Sequence, residues 1–393
     1  MIFSFAIILL SSLLLSWVFT KMRIPGLLGM LLTGIIFGPY ALNLISTDIL
    51  NVSAELRGIA LIIILIRAGL ALDIKDLIKV GRPSILMSFL PATFEIVAIT
   101  FLAPILFKIS YLEAAIMGAV IAAVSPAVIV PRMLKLIKNK YGTDKNIPQL
   151  IMAGSSVDDI FVIVVFTALL GMYKFGTFTP VSLISIPVAI VSGLLLGILT
   201  GRVLMWFFKK SKLNEMIELL IMISIAFLFV SLEAAIKPYF AVSGLLAVMA
   251  LGGTTLKYHE KLATRISGKF SSLWVGAEII LFVLVGATVN VRDFASAGGL
   301  AVVLIMGALV FRIVGVFVSL IKTKLNNKEK VFSAISYIPK GTVQAAIAAI
   351  PLSAGVAAGG IILSVAVLAI IITATLGAFG MDLSYKKLLS KNN

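Results

Sequence analysis

Long apolar stretches separated by short basic ones are the feature that most constrains how this chain folds. The 393 residues are 61% hydrophobic and only 13% charged, whereas soluble domains are about 25% charged. A membrane-crossing helix needs about 20 apolar residues. We therefore predict an all-α polytopic membrane protein with 13 transmembrane helices. The predicted crossings are 1–20, 24–42, 54–72, 83–107, 112–131, 148–172, 180–206, 215–236, 238–256, 272–289, 298–321, 331–352 and 358–382.

Lysine and arginine are distributed unevenly over the predicted loops. The loops after odd-numbered crossings, together with the tail, carry 25 of them, and the loops after even-numbered crossings carry 4. The positive-inside rule then places the N-terminus outside and the C-terminus in the cytoplasm. The net charge of +16 follows from this topology, so it does not indicate nucleic-acid binding. The four basic residues in the loops after even-numbered crossings are Lys108, Lys174, Lys237 and Arg292.

Several classes of protein are excluded by what the chain contains. The absence of cysteine excludes disulfide bonds, iron–sulfur clusters and thiol chemistry. The one histidine, His259, cannot form a metal site alone. A cleaved signal peptide at 1–20 would carry its positive charges before the apolar run, but here Lys21 and Arg23 follow it. The short tail after about residue 383 has no room for a regulatory domain, which favours a prokaryotic inner-membrane protein. No cofactor is expected.

Two interruptions occupy matching positions in the two halves of the chain. The fifth crossing contains AAVSPAVIVP, with Pro126 and Pro131, and the twelfth contains YIPKGTVQAA, with Pro339 and Gly341. Proline removes a backbone donor and glycine loosens a helix. Six crossings, a linker crossing and six more predict two inverted six-helix repeats with crossed discontinuous helices, as in many secondary transporters. The alternative is two ordinary proline kinks.

A few charged residues fall inside the predicted crossings, where each is costly. The stretch AGSSVDDIFVIVVF (153–166) places Asp158 and Asp159 side by side, Glu95 lies in the fourth crossing, and Arg312 lies in the eleventh. Because a guanidinium stays protonated, Arg312 needs a carboxylate partner, and the three acidic residues are the candidates. A structural salt bridge remains the alternative for each of them.

The two aspartates suggest how cation and proton flows could be coupled. Burial disfavours the charged form of a carboxyl group, so such a group can hold a proton or a sodium ion but not both. Sodium needs about five or six oxygen ligands, by analogy with other hard cations. Asp159, Ser125, water and either Ser155 or Ser156 could supply them, since both serines lie within one helical turn of Asp159.

Adjacent residues on a helix point about 100° apart. Asp158 and Asp159 therefore cannot act as a pair on one face, and one of them could instead meet a neighbouring helix. Lys340, at the second interruption, could neutralise exposed helix ends or extend its amine to the membrane surface. We assign no role to Arg57, Arg67 or Glu278.

The co-ordered motifs resemble those of the monovalent cation:proton antiporters, most closely the NHA-type sodium/proton branch. The stretches that carry this resemblance, in chain order and at similar spacing, are IPGLLGMLLTGIIFGP (24–39), IILIRAGLALD (63–73), VSPAVIVP, IPQLIMAGSSVDDI, LFVLVGATVNV (281–291) and SYIPKGTVQAAIAAIPL. The resemblance implies a homodimer with a moving core bundle, 83–172 and 298–382. The remaining helices, including 1–72 and 180–290, would form the dimerisation and scaffold part.

The resemblance also implies residue roles. Asp159 matches the family's indispensable ion-binding aspartate, and Asp158 matches a position that is Asp or Asn in different branches. Ser125, with Pro126, matches the unwound helix that helps to hold the cation. Arg312 matches a position occupied by Lys or Arg, and Glu95 matches its partner in this branch. Arginine in place of lysine leaves the stoichiometry open.

The sequence therefore predicts an antiporter that exchanges Na⁺ or Li⁺ for H⁺ by alternating access. A cation channel or a sodium-coupled solute symporter on the same plan remains the alternative. An intramembrane aspartyl protease is disfavoured, because its two carboxyl groups must face each other, usually from separate helices. Adjacent aspartates on one helix do not converge in this way.

Overall fold

The computed structural model describes residues 1–70, 81–175, 180–211, 213–236, 240, 242–289 and 291–392, without the side chains of 174–187, 234 and 291–297. Within these ranges the regular structure is helical, apart from one isolated β-bridge between Tyr141 and Lys391. The helices are α1 (Ile2–Lys21), α2 (Gly26–Phe37), α3 (Thr47–Asn51), α4 (Ser53–Leu70), α5 (Arg82–Met87), α6 (Leu90–Phe107), α7 (Tyr111–Ala122), α8 (Pro126–Lys138), α9 (Ile147–Phe175), α10 (Pro180–Ser211), α11 (Glu215–Ile236), α12 (Gly244–Tyr258), α13 (Glu260–Ala287), α14 (Val291–Ser319), α15 (Asn327–Ser336), α16 (Thr342–Ile347), α17 (Ile350–Ser353) and α18 (Gly359–Leu388).

These helices agree with the predicted fold class. Among the described residues, nine helical segments are long and apolar enough to cross a membrane, and Gly26–Phe37 and Thr342–Ser353 are shorter apolar helices. The prediction of an all-α polytopic membrane protein is confirmed at this level. Helix occurs within every one of the thirteen predicted crossings, but their number as crossings stays a prediction, as do the inverted repeats.

Parts of the predicted topology lie outside the described residues. The third predicted crossing and its motif end there, at 71–73, and the ninth begins there, at 238–239. Four basic residues also lie outside the described residues: Lys75, Lys79, Lys212 and Lys237. For the loop residues Lys174 and Arg292, the structure describes the backbone without the side chain.

The helices group into two compact units, of which one comprises Glu55–Asp73 and Thr167–Glu278. Its helices approach closely at glycines, as is typical of helix pairs in membranes. A Cβ atom on Gly69 would overlap the carbonyl oxygen of Met249, and one on Gly252 would lie 2.7 Å from the carbonyl oxygen of Ile66. These contacts bring α4 and α12 together along a backbone-to-backbone seam.

The other unit comprises Met1–Ala54, Ile74–Phe166 and Ile279–Asn393. It contains most of both segments that the resemblance assigns to the core bundle, and residues 1–54 as well. Inside it, α6 packs against α7 and α14. Gly118 on α7 lies against Ile96, and Gly315 on α14 lies against Pro91, where added Cβ atoms would be 3.0 and 2.8 Å from backbone atoms.

Two non-helical breaks meet inside this second unit. The first break, residues 123–125, separates α7 from α8, and the second break, residues 337–341, separates α15 from α16. The backbone N–H of Ser125 donates to the carbonyl oxygen of Pro339 over 2.8 Å. A Cβ atom on Gly341 would overlap the hydroxyl oxygen of Ser125, so glycine permits this approach.

Proline explains why the first break forms where it does. Pro126 has no N–H, so the carbonyl of Ala122 cannot receive its helical hydrogen bond. The preceding N–H groups also leave the helical ladder, because that of Val124 donates to Asp158 and that of Ser125 to Pro339. The first break therefore leaves several carbonyl groups at the end of α7 without intrahelical donors.

Candidate functional site

The adjacent aspartates lie on α9, opposite the first break. Asp158 is fully buried and Asp159 is 8% exposed. The Oδ2 atom of Asp158 accepts the N–H of Val124 over 2.8 Å and lies 3.5 Å from the guanidinium of Arg312. The Oδ1 atoms of both aspartates have no hydrogen-bond partner in the described part of the chain. Each aspartate therefore keeps a carboxylate oxygen free for another ligand.

Three further charged side chains form a buried cluster beside Asp158. The guanidinium of Arg312 lies 2.6 Å from Glu95, and the amine of Lys340 lies 2.5 Å from the same carboxylate oxygen. All three side chains are at most 1% exposed. Of the three predicted partners for Arg312, Glu95 and Asp158 are in salt-bridge range.

The basic side chains of this cluster also bond the backbone at both breaks. Both Arg312 and Lys340, the latter over 3.2 Å, donate to the carbonyl oxygen of Ala122 at the end of α7. Arg312 donates over 2.6 Å to the carbonyl oxygen of Tyr337 in the second break. Lys340 is fully buried, so its amine does not extend to a membrane surface and instead meets an exposed helix end.

The three predicted serine ligands differ in their surroundings. The hydroxyl groups of Ser155 and Ser156 donate within α9 to the carbonyl oxygen of Met152, over 3.0 and 2.9 Å. The hydroxyl of Ser125 is fully buried and finds no partner among the described residues. Ser125 thus has an uncommitted oxygen in the first break, next to the residue that bonds Asp158.

Three polar residues at the second break were not singled out from the sequence. Gln344 is fully buried, and its carboxamide bonds both breaks. Thr373 accepts the N–H of Lys340 over 2.9 Å. The phenol of Tyr337 is buried against Gly154, and its oxygen has no partner within the described ranges. The one available signal was a polar side chain within an apolar run, as in TVQAAIAAI, and it does not indicate a partner.

With the two aspartates included, the cluster comprises five ionisable side chains, and their charges do not cancel. Three carboxyl groups, those of Glu95, Asp158 and Asp159, face two basic groups, those of Arg312 and Lys340. Arg312 acts electrostatically on Asp159 as well, but its salt bridges go to Glu95 and Asp158. With every group ionised, the cluster carries one net negative charge, and Asp159 is the carboxylate without a salt bridge among the described residues.

The remaining charged residues of interest lie elsewhere. Arg67 and Glu278 interact electrostatically within the unit that holds both. Arg57 is buried at the start of α4. The ring of His259 accepts the N–H of Leu262 over 3.3 Å at the start of α13. In the part of the chain that the structure describes, there is no group of three or more His, Cys, Asp or Glu side chains that could hold a metal ion.

The sequence is similar to a known family along nearly its whole length. The sequence model of the family described as "Sodium/hydrogen exchanger, transmembrane" matches residues 7–381. Sodium/hydrogen exchanger 9B2 of Xenopus tropicalis is 33% identical over 390 residues, which cover 93% of this chain and 70% of that protein. Sodium/hydrogen exchanger 9B2 of Homo sapiens is 32% identical and sodium/hydrogen exchanger 9B1 of Homo sapiens is 31% identical; both alignments cover 94% of this chain, with 70% and 73% of the respective relatives.

A solved structure has the same fold. The sodium proton antiporter MjNhaP1 from Methanocaldococcus jannaschii at pH 8 superposes with a TM-score of 0.84, covering 98% of this chain and 97% of that one at 21% identity. At this identity, the similarity concerns the fold.

Proposed function

We propose, given that this chain belongs to the sodium/hydrogen exchanger family, that it exchanges Na⁺ for H⁺ with Asp159 holding one ion or the other. Family membership makes it a cation/proton antiporter of the membrane and a transporter rather than an enzyme. The identity of the carboxyl group, the acceptance of Li⁺, the stoichiometry and the absence of a cofactor are parts of the proposal.

The observation that carries the proposal is the unbalanced charge of the buried cluster. Arg312 and Lys340 are bound to Glu95 and Asp158 at distances of 2.5–3.5 Å, and Asp159 has no salt bridge in the described residues. An ionised carboxylate in so dry a place is unstable without a compensating charge. One proton or one monovalent cation removes the imbalance, and the two cannot occupy the same oxygen together.

The oxygen atoms available for the cation support this assignment. The Oδ1 atoms of Asp158 and Asp159 and the hydroxyl of Ser125 are buried without a partner within the described structure. The hydroxyl oxygens of Ser155 and Ser156 already donate their hydrogens, and they keep lone pairs that can accept or coordinate. With water, these oxygens approach the number that a hard cation needs. Li⁺ uses the same kind of ligand.

Coupling follows from the competition for Asp159. A protonated Asp159 and a sodium-bound Asp159 both leave the cluster neutral, whereas an empty, ionised Asp159 leaves a buried charge. If the site can change its access only when it is neutral, each reorientation carries one Na⁺ or one H⁺. Alternating access of the core bundle then gives exchange.

The architecture that we propose around this site is the predicted one. It has thirteen crossings with the N-terminus outside and the C-terminus in the cytoplasm, two inverted repeats, and a homodimer with a core bundle and a scaffold part. The mutual approach of Ser125 and Pro339 supports the crossed, discontinuous helices. The curated relatives named above are vertebrate proteins, so they do not support the expected prokaryotic inner membrane, and we propose no particular membrane.

The test is sodium-driven proton movement in sealed proteoliposomes with a pH dye trapped inside. Adding Na⁺ outside should raise the internal pH with wild-type protein, and Asp159→Asn should abolish the signal. Asp48→Asn, the same change at an exposed aspartate on α3, should leave exchange unchanged. Sodium-dependent proton flux in Asp159→Asn would refute the role of this residue. Sodium entry without proton exit would indicate a channel, and a need for an organic solute would indicate a symporter.

A further inference from the structure

The end of α7 requires hydrogen-bond donors that its own helix does not supply. Because Pro126 lacks an N–H and the N–H groups of Val124 and Ser125 donate elsewhere, the carbonyls of residues 120–122 lose their helical donors, and the carbonyl of Ala123 lies in the first break, outside the helix. Arg312 and Lys340 bond the carbonyl of Ala122. The carbonyl oxygens on either side, those of Ile121 and Ala123, need another source.

Gln344 supplies both of those donors. Its side-chain nitrogen donates to the carbonyl oxygen of Ile121 over 3.0 Å and to that of Ala123 over 2.5 Å. Its side-chain oxygen accepts the N–H of Gly341 over 2.7 Å. One carboxamide therefore bonds the carboxyl end of α7, where the first break begins, and the amino end of α16, where the second break ends.

A carboxamide suits this position better than other side chains. Its NH₂ group has two hydrogens for two carbonyls, and its oxygen accepts from one N–H. An apolar side chain of the same size would leave all three backbone groups unpaired in a buried place. A lysine would offer no acceptor, and an ionised glutamate would offer no donor. Being neutral, Gln344 also leaves the charge of the cluster unchanged.

The bonds of Gln344 act directly on the residues that face the aspartates. Ala123 is followed by Val124, whose N–H donates to Asp158, and then by Ser125, whose hydroxyl has no partner among the described residues. Gly341 lies against that same hydroxyl. Fixing Ala123 and Gly341 therefore fixes the distance between the two breaks at the place where Ser125 stands.

We infer that Gln344 is a positioning residue that sets the affinity of the cation site by holding the two breaks in register. This inference rests on the proposed function. Gln344 does not contact the cation, and it acts through the placement of Val124 and Ser125. Outer-shell partners of this kind typically change metal affinity by about 10- to 100-fold when they are replaced.

The test is Gln344→Met, which keeps the length of the side chain and removes its hydrogen bonds. In proteoliposomes we expect the Na⁺ concentration for half-maximal exchange to rise by about 10- to 100-fold, with a much smaller change in the maximal rate. In detergent, the Na⁺ concentration that gives half of the maximal rise in melting temperature should increase by the same factor. Gln149→Met is the matched control, since the buried carboxamide oxygen of Gln149 has no partner within the described chain.

A half-saturating Na⁺ concentration within about twofold of wild type in Gln344→Met would overturn the inference, as would an equal shift in Gln149→Met. Should Gln344→Met fail to fold, Gln344→Asn keeps a neutral carboxamide but shortens the side chain by one methylene, so that it cannot span the same three groups, and it should shift the half-saturating concentration in the same direction. A wild-type value in that variant would overturn the inference equally. Failure of the wild-type protein to move protons would contradict the proposed function instead, so the two results are distinguishable.

Discussion

Asp159 differs from its neighbour in what surrounds it, although both are aspartates on the same helix. Asp158 accepts a backbone N–H over 2.8 Å and lies in a salt bridge with Arg312, while Asp159 has neither among the described contacts. Adjacent positions on a helix point in different directions, and here this separates a carboxylate that is held from one that is available. The proposed division of labour rests on that difference.

We expect Asp158→Asn to weaken exchange less than Asp159→Asn does. Without the charge of residue 158, the remaining carboxylates of Glu95 and Asp159 balance Arg312 and Lys340, so a bound cation is no longer needed for neutrality. The half-saturating Na⁺ concentration should rise by about tenfold, equivalent to roughly 1.4 kcal/mol, and some exchange should remain. Sodium titration of exchange in proteoliposomes measures this. Complete loss, equal to that of Asp159→Asn, would contradict this division and show that Asp158 is as indispensable to exchange as Asp159.

Individual residues of the cluster could be predicted from sequence only where they carry a charge in an apolar run. Glu95, Asp158, Asp159, Arg312 and Lys340 all stand out in this way, and all five are buried. The residues alone left three candidate partners for Arg312, because Glu95 and Arg312 are 217 positions apart, and the pair with Glu95 was implied by the resemblance instead. Neutral polar side chains gave no comparable signal, since an uncharged amide or phenol occurs in many apolar helices for unrelated reasons.

At the scale of the elements, α9 is tied to its surroundings at its start as well as at the aspartates. Lys145, just before α9, bonds both carboxylate oxygens of Glu329 over 3.0 and 2.9 Å, and Glu329 also accepts the N–H of Asn326 over 2.7 Å at the start of α15. Glu329 is 2% exposed. This contact joins the first turns of the helices that lead to the aspartates and to the second break.

We expect Glu329→Gln to lower the stability of the protein without changing its affinity for sodium. The substitution removes the charge that Lys145 faces, and since the lysine side chain is 32% exposed, the loss is reduced by solvent. The melting temperature in detergent should fall by about 2–4 °C. Glu260→Gln, at an exposed glutamate, is the matched control. A changed half-saturating Na⁺ concentration in Glu329→Gln would show that this contact also shapes the cation site.

The breaks between elements were predicted well, because proline and glycine act locally. Pro126 and Gly341 lie at the ends of the non-helical residues 123–125 and 337–341, as the sequence indicates. That the two breaks touch, with Ser125 bonded to Pro339, depends on how distant segments pack, so no local pattern contains it. The inverted repeats expected from the matched positions stay a prediction.

At the scale of the whole molecule, the charge count bears on stoichiometry. Arg312 cannot release a proton in a protein, and Arg312 and Lys340 together compensate the charges of Glu95 and Asp158. Asp159 is then the carboxyl group of the described cluster that is left to exchange one proton for one sodium ion. The presence of arginine at position 312, where the resemblance allows lysine or arginine, has this consequence under the proposed mechanism.

We therefore expect one-for-one, electroneutral exchange. The rate of sodium-driven proton movement in proteoliposomes should be the same, within about twofold, with the membrane potential clamped at zero by K⁺ and valinomycin or set to about 100 mV of either sign. Moving one net charge through that potential would involve about 2.3 kcal/mol. A rate that follows the sign of the potential would show that a second ionisable group of the cluster also carries protons.

The gross architecture was the easiest property to predict and the number of crossings the hardest. Length and hydropathy predict helices and a membrane; the described residues confirm the helices, and membership of the transmembrane sodium/hydrogen exchanger family supports the membrane. Interrupted helices are difficult to count, because the fifth predicted crossing is the pair α7 and α8, and the twelfth is α15, α16 and α17. Short pieces of this kind fall below the length of a span even where several together cross.

The most direct measurement of the proposed competition is sodium binding to the purified protein over a series of pH values, followed by the Na⁺ concentration that half-saturates its thermal stabilisation. If one carboxyl group holds either ion, acidification must weaken sodium binding, by up to about tenfold per pH unit, and Asp159→Asn must remove sodium stabilisation at every pH. Sodium binding that does not change with pH, or that persists in Asp159→Asn with the wild-type half-saturating concentration, would contradict it.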